Sequence, residues 1–125
     1  PLSNFMIKIW FVSPVSVNRI IVALCGHDRN SHPSSVRFFT GIAAETLGLD
    51  DMEEVDPAQT MDLDINEEAE KFQLCRPKCF THINFLLLHF PGNHGGLDHT
   101  SVSYIGLQGP HSHAKREAVE AKYEL

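Results

Sequence analysis

The sequence lacks long apolar runs and any excess of positive charge. Its longest uninterrupted apolar run covers residues 20–25, far short of the ~20 residues that cross a bilayer. Its first residues carry no basic segment of the kind that begins a secretory signal. Lys and Arg number 10 against 16 Asp and Glu, which excludes a strongly basic nucleic-acid binder. Neither membranes nor nucleic acids are therefore expected as partners.

Cysteine is scarce, and its three positions are Cys25, Cys75 and Cys79. None of them forms a Cys-x-x-Cys pair, so thioredoxin-type redox chemistry has no predicted site in this chain. An odd number of cysteines without a secretory segment favours free thiols in a reducing compartment over a disulfide scaffold.

Apolar residues, in contrast, are plentiful enough for one core. Leu, Ile, Val and Phe make up 36 of the 125 residues, well above the level at which disorder is expected. A chain of this length is typical of a single domain, and it buries most of its surface without needing disulfides. We therefore expect one domain over residues 1–125.

Charge is distributed unevenly along the chain. No Lys or Arg lies between Arg37 and Lys71, and this stretch holds 11 of the 16 acidic residues. One interpretation is a solvated acidic loop that aids solubility. The other is an acidic contact surface for a basic partner. The candidate residues for such a surface are Asp50, Asp51, Glu53 and Glu54.

Alternating apolar and polar residues predict strands rather than helices. Pro14 is expected to end the first strand because it lacks a backbone N–H, and 92–96 is interpreted as a hairpin turn. The pattern is typical of an all-β sandwich or barrel. Eight short strands are predicted: 5–11, 15–24, 36–40, 61–65, 71–74, 81–90, 101–107 and 118–123.

Two loops are candidates for function, because long loops on a rigid sandwich often carry it. The stretch 41–59 has room for one helical turn but no strong pattern, and loops of this length are uncommon in compact domains. The polar loop 26–35 supplies the other contact candidates: His27, Asp28 and His32.

Cys75 and Cys79, with three residues between them, are candidate zinc ligands, because zinc is commonly held by close Cys and His pairs. Four histidines follow downstream: His94, His99, His111 and His113. The flanking Arg76 and Lys78 disfavour a dication, so two semi-buried thiols at a strand connection are the preferred interpretation. The chain has no nucleophile elbow, phosphate-binding glycine loop or His-Glu-x-x-His motif. No enzymatic activity, metal or cofactor is predicted.

The stretch 94–109 resembles the signature of the PITH domain family, in which an N-x-G-x-x-D-x-T segment leads into Tyr-Ile-Gly-Leu-x-Gly. Further similarities lie in 11–22, 32–39, 56–60 and 118–124. The signature residues singled out in this stretch are Gly96, Asp98, Thr100, Tyr104, Gly106 and Gly109. We expect structural roles for them, as turn glycines, a capping Asp and a core Tyr. Glycines near a strand end also suggest a bulge or a close backbone approach.

This resemblance implies a jelly-roll β-sandwich related to galactose-binding-like domains. It also implies a non-enzymatic adaptor that binds the proteasome regulatory particle, in the cytoplasm and nucleus. Domains of this family usually begin several tens of residues earlier, so an N-terminally truncated domain is expected. The sequence does not predict the oligomeric state.

A small-ligand or carbohydrate-binding module is the alternative, since related sandwiches often bind such ligands. That function needs an exposed aromatic platform with polar neighbours. The one tryptophan, Trp10, lies in the middle of a predicted strand. We expect it to lie in the core or against a covered face.

Overall fold

The computed structural model describes residues 3–24, 28–65, 70–109 and 119–124. A four-residue helix, α1 (Pro77–Phe80), and three short 3₁₀ helices (Arg29–Ser31, Ile42–Thr46 and Leu49–Asp51) lie in the connections. None of the described helices has the length and apolar character needed to cross a membrane. The described strands are β1 (Phe5–Val15), β2 (Arg19–Ala23), β3 (Ser35–Thr40), β4 (Gln59–Asp62), β5 (Glu70–Leu74), β6 (Ile83–Phe90), β7 (Tyr104–Gln108) and β8 (Val119–Glu124).

The strands form two antiparallel sheets. The larger sheet has the order β4-β3-β6-β1-β8, and the smaller sheet has the order β5-β2-β7. The chain passes repeatedly from one sheet to the other, so most neighbours within a sheet are distant in sequence. This architecture confirms the predicted all-β jelly-roll sandwich.

The main core lies between the two sheets. Alternation along β1 directs Phe5 and Ile7 into it, and Leu86 and Leu88 of β6 lie beside them. Val22 of β2 faces them from the smaller sheet and is fully buried. Each buried side chain of this size stabilises the fold by about 1.5–3 kcal/mol, so this shared core holds the two sheets together.

A second apolar cluster covers the outer face of the larger sheet. Met6, Phe85 and Leu87 point to this side, because they alternate with the residues that face the main core. Ala44 and Met52 pack on them from residues 41–58, which we call the covering segment. The segment contains two short 3₁₀ helices, where one helical turn was expected, and it has no other regular structure. A strand that is apolar on both faces, as β6 is, must be covered on both sides.

Several strand boundaries differ from those predicted. Pro14 does not end β1, which continues to Val15, and Val15 pairs with Ile83 rather than opening β2. The register between β1 and β6 shifts between Trp10 and Val15. Pro14 is exposed within this irregular stretch, so its missing N–H interrupts no regular ladder.

The predicted hairpin at 92–96 was also wrong. β6 and β7 belong to different sheets, and residues 91–103 carry the chain between them. Gly96 does adopt a left-handed φ of 63°, as turn chemistry suggests. Turn residues, however, do not determine which strands a turn connects. Here β7 pairs with β2, where Ile105 lies opposite Val22.

Candidate interaction surface

Two cations from the larger sheet hold the covering segment in place. Arg37 Nη1 donates a hydrogen bond to the carbonyl of Met52 at 2.8 Å, and Nη2 donates to the carbonyl of Val55 at 3.1 Å. Lys8 is buried, and its Nζ donates to the carbonyl of Glu45 at 3.0 Å. These charge-assisted bonds satisfy carbonyls that no helix or sheet pairs.

Trp10 binds the first 3₁₀ helix of the covering segment through a side-chain hydrogen bond. Its indole Nε1 donates to Glu45 Oε1 at 2.9 Å, and its ring packs against Phe85 with the centroids 5.2 Å apart. Trp10 is half-buried in this cluster, which agrees with the expectation of a covered face. Its hydrogen-bonding group is already used, so Trp10 is not a free platform for a ligand.

His89 of β6 is the neighbour of Arg37 on the adjacent strand β3. It is 3% exposed, its Nε2 lies 2.7 Å from Asn4 Oδ1, and its Nδ1 lies 3.5 Å from Arg37 Nη1. Burial, with a smaller effect of the Arg37 charge, lowers the pKa of His89 from 6.5 to about 4. The ring is therefore neutral near pH 7. Because Arg37 can only donate, we assign the ring proton to Nε2, which donates to Asn4.

The acidic residues of the covering segment that were predicted as contact candidates differ in their exposure and hydrogen bonding. Asp50, Glu53 and Glu54 are exposed. Asp51 is half-buried, and its carboxylate accepts a hydrogen bond from the Gly48 N–H at 2.7 Å, closing a 3₁₀ turn. Asp56, which sequence reasoning did not single out, is exposed beside them. The outer surface of this segment is thus acidic, while its cationic contacts lie inside.

A shallow groove of about 190 Å³ opens between the covering segment and the end of β3. Its lining is largely apolar, with Asp56 as the one charged residue. Sequence reasoning missed this feature because its side chains come from an irregular segment with no regular period. The lining residues are Phe39, Thr40, Ala43, Ala44, Leu47, Val55, Asp56 and Ala58.

The other predicted contact loop is only partly available. Asp28 is exposed and accepts a hydrogen bond from the Asn30 N–H at 3.0 Å. His32 is 6% exposed, so its proposed place in a contact surface was wrong. The connection 91–103 packs over it, and the His94 N–H donates to the His32 carbonyl at 3.1 Å. His27 lies outside the described residues.

Asn93, which was not among the predicted residues, organises the signature turn. Its Oδ1 accepts a hydrogen bond from the Leu97 N–H at 2.7 Å, and its Nδ2 lies 3.1 Å from Thr100 Oγ1. Thr100 in turn donates to the Ser3 carbonyl at 2.9 Å. Asp98 is exposed, and no helix follows it in the described part of the chain. The capping role expected of Asp98 is therefore not that of a helix N-cap there.

The remaining signature residues lie on β7 and at its end. Tyr104 is 57% exposed, so the expectation of a core Tyr was wrong. Its ring lies over Gly106, where an added Cβ would be 2.8 Å from Tyr104 Oη. A Cβ at Gly109 would be 2.8 Å from the Ser16 carbonyl oxygen. The predicted close backbone approach is confirmed at Gly109, which requires glycine for space. At Gly106 the neighbour is the exposed side chain of Tyr104, which can move aside.

Cys75 and Cys79 are free thiols at the connection after β5. Cys75 is buried and Cys79 is half-buried, as expected of semi-buried thiols. Burial raises the pKa of Cys75 from 9.0 to about 11. Within the described ranges, no group of three or more His, Cys, Asp or Glu side chains is placed to hold a metal ion. Cys25, His111 and His113 lie outside those ranges.

Comparison with known proteins agrees with the signature. Residues 3–125 match the family model of the PITH domain. The chain is 32% identical to PITH domain-containing protein 1 of Homo sapiens over 116 residues, which are 93% of this chain and 52% of that protein. The protein of the same name from Dictyostelium discoideum is 29% identical over 121 residues, or 97% and 57% of the two chains. The chain spans about half the length of the curated relatives it matches.

Proposed function

This chain belongs to the PITH domain family, and on that premise we propose that it is a non-enzymatic interaction domain that binds the proteasome regulatory particle. Its site of action is the cytoplasm and nucleus. The contact surface is the acidic outer side of the covering segment. Membership of the family supports the choice of partner, and the geometry of the covering segment supports the choice of surface.

The observation that carries this proposal is the pair of hydrogen bonds from Arg37 to the carbonyls of Met52 and Val55. Because the guanidinium binds backbone oxygens, it holds the segment without forming an ion pair with the exposed carboxylates. Asp50, Glu53 and Glu54 therefore keep their charge for a partner. A pre-ordered acidic surface loses little conformational freedom on binding, and it steers a basic partner during association.

The test is recovery of regulatory-particle subunits from cell lysate by the full-length protein. We expect recovery that weakens as salt increases. The double variant Glu53→Lys/Glu54→Lys should abolish it. The matched control is Asp62→Lys/Asp98→Lys, which changes the net charge equally at two exposed positions outside the covering segment. No recovery by the unaltered protein would refute the proposal, and equal recovery by both variants would refute this choice of surface.

The carbohydrate-binding alternative receives no support from the geometry. Trp10 is engaged with Glu45, and the groove of about 190 Å³ is smaller than the 300–1,000 Å³ typical of ligand pockets. A glycan array is expected to show no binding.

A further inference from the structure

The groove beside the covering segment has an apolar lining and an acidic margin. We propose that it receives one aliphatic side chain from a lysine- or arginine-rich segment of a protein partner. This inference rests on the proposed function, since it specifies the chemistry of the partner segment at the same surface.

The apolar lining indicates which kind of side chain the groove can receive. Phe39 forms a buried part of the wall, while Leu47 and Val55 are half-buried and contribute apolar surface. A volume of about 190 Å³ exceeds the ~150 Å³ of a cavity that holds benzene. One leucine- or isoleucine-sized side chain therefore fits. Ile42, next to Ala43 of the groove, is 83% exposed, so the apolar surface extends beyond the groove itself.

The charge at the margin of the groove indicates which residues flank the anchoring side chain of the partner. Asp56 lines the groove and is exposed, and Glu53 and Glu54 are exposed shortly before it in the chain. The covering segment contains no Lys or Arg. An acidic partner segment would be repelled, whereas Lys or Arg on either side of the anchoring side chain would face carboxylates.

The exposed carboxylates of the covering segment disfavour a symmetric contact with a second copy of this chain. In a two-fold symmetric contact through the covering segment, its exposed carboxylates would meet those of the other copy, so like charges would lie together. An apolar anchor inside a polar margin is also the usual arrangement of an interaction hot spot. The partner is therefore a different protein that presents an exposed basic segment.

The experiment is an NMR titration of the ¹⁵N-labelled chain with synthetic peptides. The probe has one leucine flanked by four lysines on each side. One control peptide replaces the leucine with alanine, and the other replaces the lysines with glutamates. We expect saturable shifts of amides that line the groove, including Ala43, Leu47 and Asp56. The alanine peptide should bind about tenfold more weakly, because the apolar contact is lost, and the glutamate peptide should cause no shifts.

Two variants separate the apolar contact from the charge. Ala43→Leu places a larger side chain at an exposed position of the lining, so it should weaken the leucine peptide at least fivefold and leave the alanine peptide unchanged. Asp56→Lys should weaken both peptides. Asp62→Lys, a matched charge change outside the groove, should affect binding much less. The dispersion of the amide spectrum verifies that each variant is folded.

Equal affinity for the leucine and alanine peptides, or no groove shifts, would overturn this inference. These results are distinguishable from failure of the proposed function. If the full-length protein recovers the regulatory particle and the peptides fail, only the groove inference falls. If the leucine peptide binds as expected and the regulatory particle is not recovered, the proposed partner is wrong and the groove chemistry stands.

Discussion

Arg37 of β3 and His89 of β6 are directly paired across the larger sheet, and their Nη1 and Nδ1 atoms lie 3.5 Å apart. Burial, with a smaller effect of this neighbouring cation, lowers the pKa of His89 and keeps its imidazole neutral. The neutral ring directs its unprotonated Nδ1 toward Arg37. The guanidinium donates its shorter hydrogen bonds to the carbonyls of Met52 and Val55 in the covering segment. The stability of the covering segment is thereby linked to the protonation of a residue that never reaches the surface.

The stability of the protein should fall as the pH is lowered from about 6.5 to about 4. The pKa of His89 is lowered from 6.5 to about 4 in the folded state, so over this interval the unfolded chain binds the additional proton. The contribution of neutral His89 to the free energy of unfolding is complete above pH 6.5. Its loss on acidification amounts to about 3 kcal/mol. Urea unfolding at several pH values measures it. His89→Gln should flatten the dependence, and identical slopes for both proteins would contradict this assignment.

Arg37→Lys should loosen the covering segment, because an ammonium group cannot bridge two carbonyls as a guanidinium does. We expect a loss of about 2 kcal/mol in the free energy of unfolding. Emission of Trp10, the one tryptophan of the chain, should shift to the red as its surroundings become wetter. Arg76→Lys is the control, since Arg76 is exposed. Equal effects of both variants would contradict the anchoring role of Arg37.

Three glycines of the 91–103 connection should differ in their tolerance of alanine. A Cβ at Gly95 would lie 2.5 Å from Asn30 Cβ, so Gly95→Ala should cost about 1–3 kcal/mol through overpacking. Gly96→Ala should cost about 1 kcal/mol, because its φ of 63° strains an L-residue. Gly92 has open space around it, so Gly92→Ala should not destabilise the fold and should stabilise it by about 0.4–1 kcal/mol, because alanine restricts the unfolded chain. Thermal unfolding gives the order, and a loss of stability at Gly92 would contradict it.

Cys75 should react with iodoacetamide much more slowly than Cys79. Cys75 is buried, and its pKa is raised to about 11, so little thiolate forms at pH 8. In a Cys25→Ser background, mass spectrometry of the two peptides should show at least a tenfold difference in rate. Unfolding in urea should remove the difference. Equal rates in the folded protein would show that Cys75 is accessible.

The same raised pKa predicts a loss of stability at alkaline pH. The folded chain holds the Cys75 proton more tightly than the unfolded chain does. The contribution of the protonated thiol to the free energy of unfolding is therefore complete below pH 9 and is lost as the pH rises toward 11. Cys75→Ala should reduce this slope in alkaline urea unfolding. An unchanged slope would exclude Cys75 as its source.

The strands of the sandwich were predictable because alternation is a local property. Phe5 and Ile7 face one way wherever the strand lies, and a strand with that pattern needs a core on that side. The signature glycines were predictable for the same reason, since a left-handed turn at Gly96 depends on its own backbone. Irregular segments carry no such period, so the covering segment and its groove could not be deduced.

The sequence by itself determined the all-β class, the apolar faces of its strands, the family and the acidic stretch without Lys or Arg. Only the tertiary structure decided that this stretch covers the larger sheet, that His32 is buried and that Tyr104 is exposed. Alternation, turn chemistry and net charge arise from neighbouring residues along the chain. Burial and the contacts of Arg37, Lys8 and Trp10 depend on which distant segments meet, and that follows only from the packing of the whole fold.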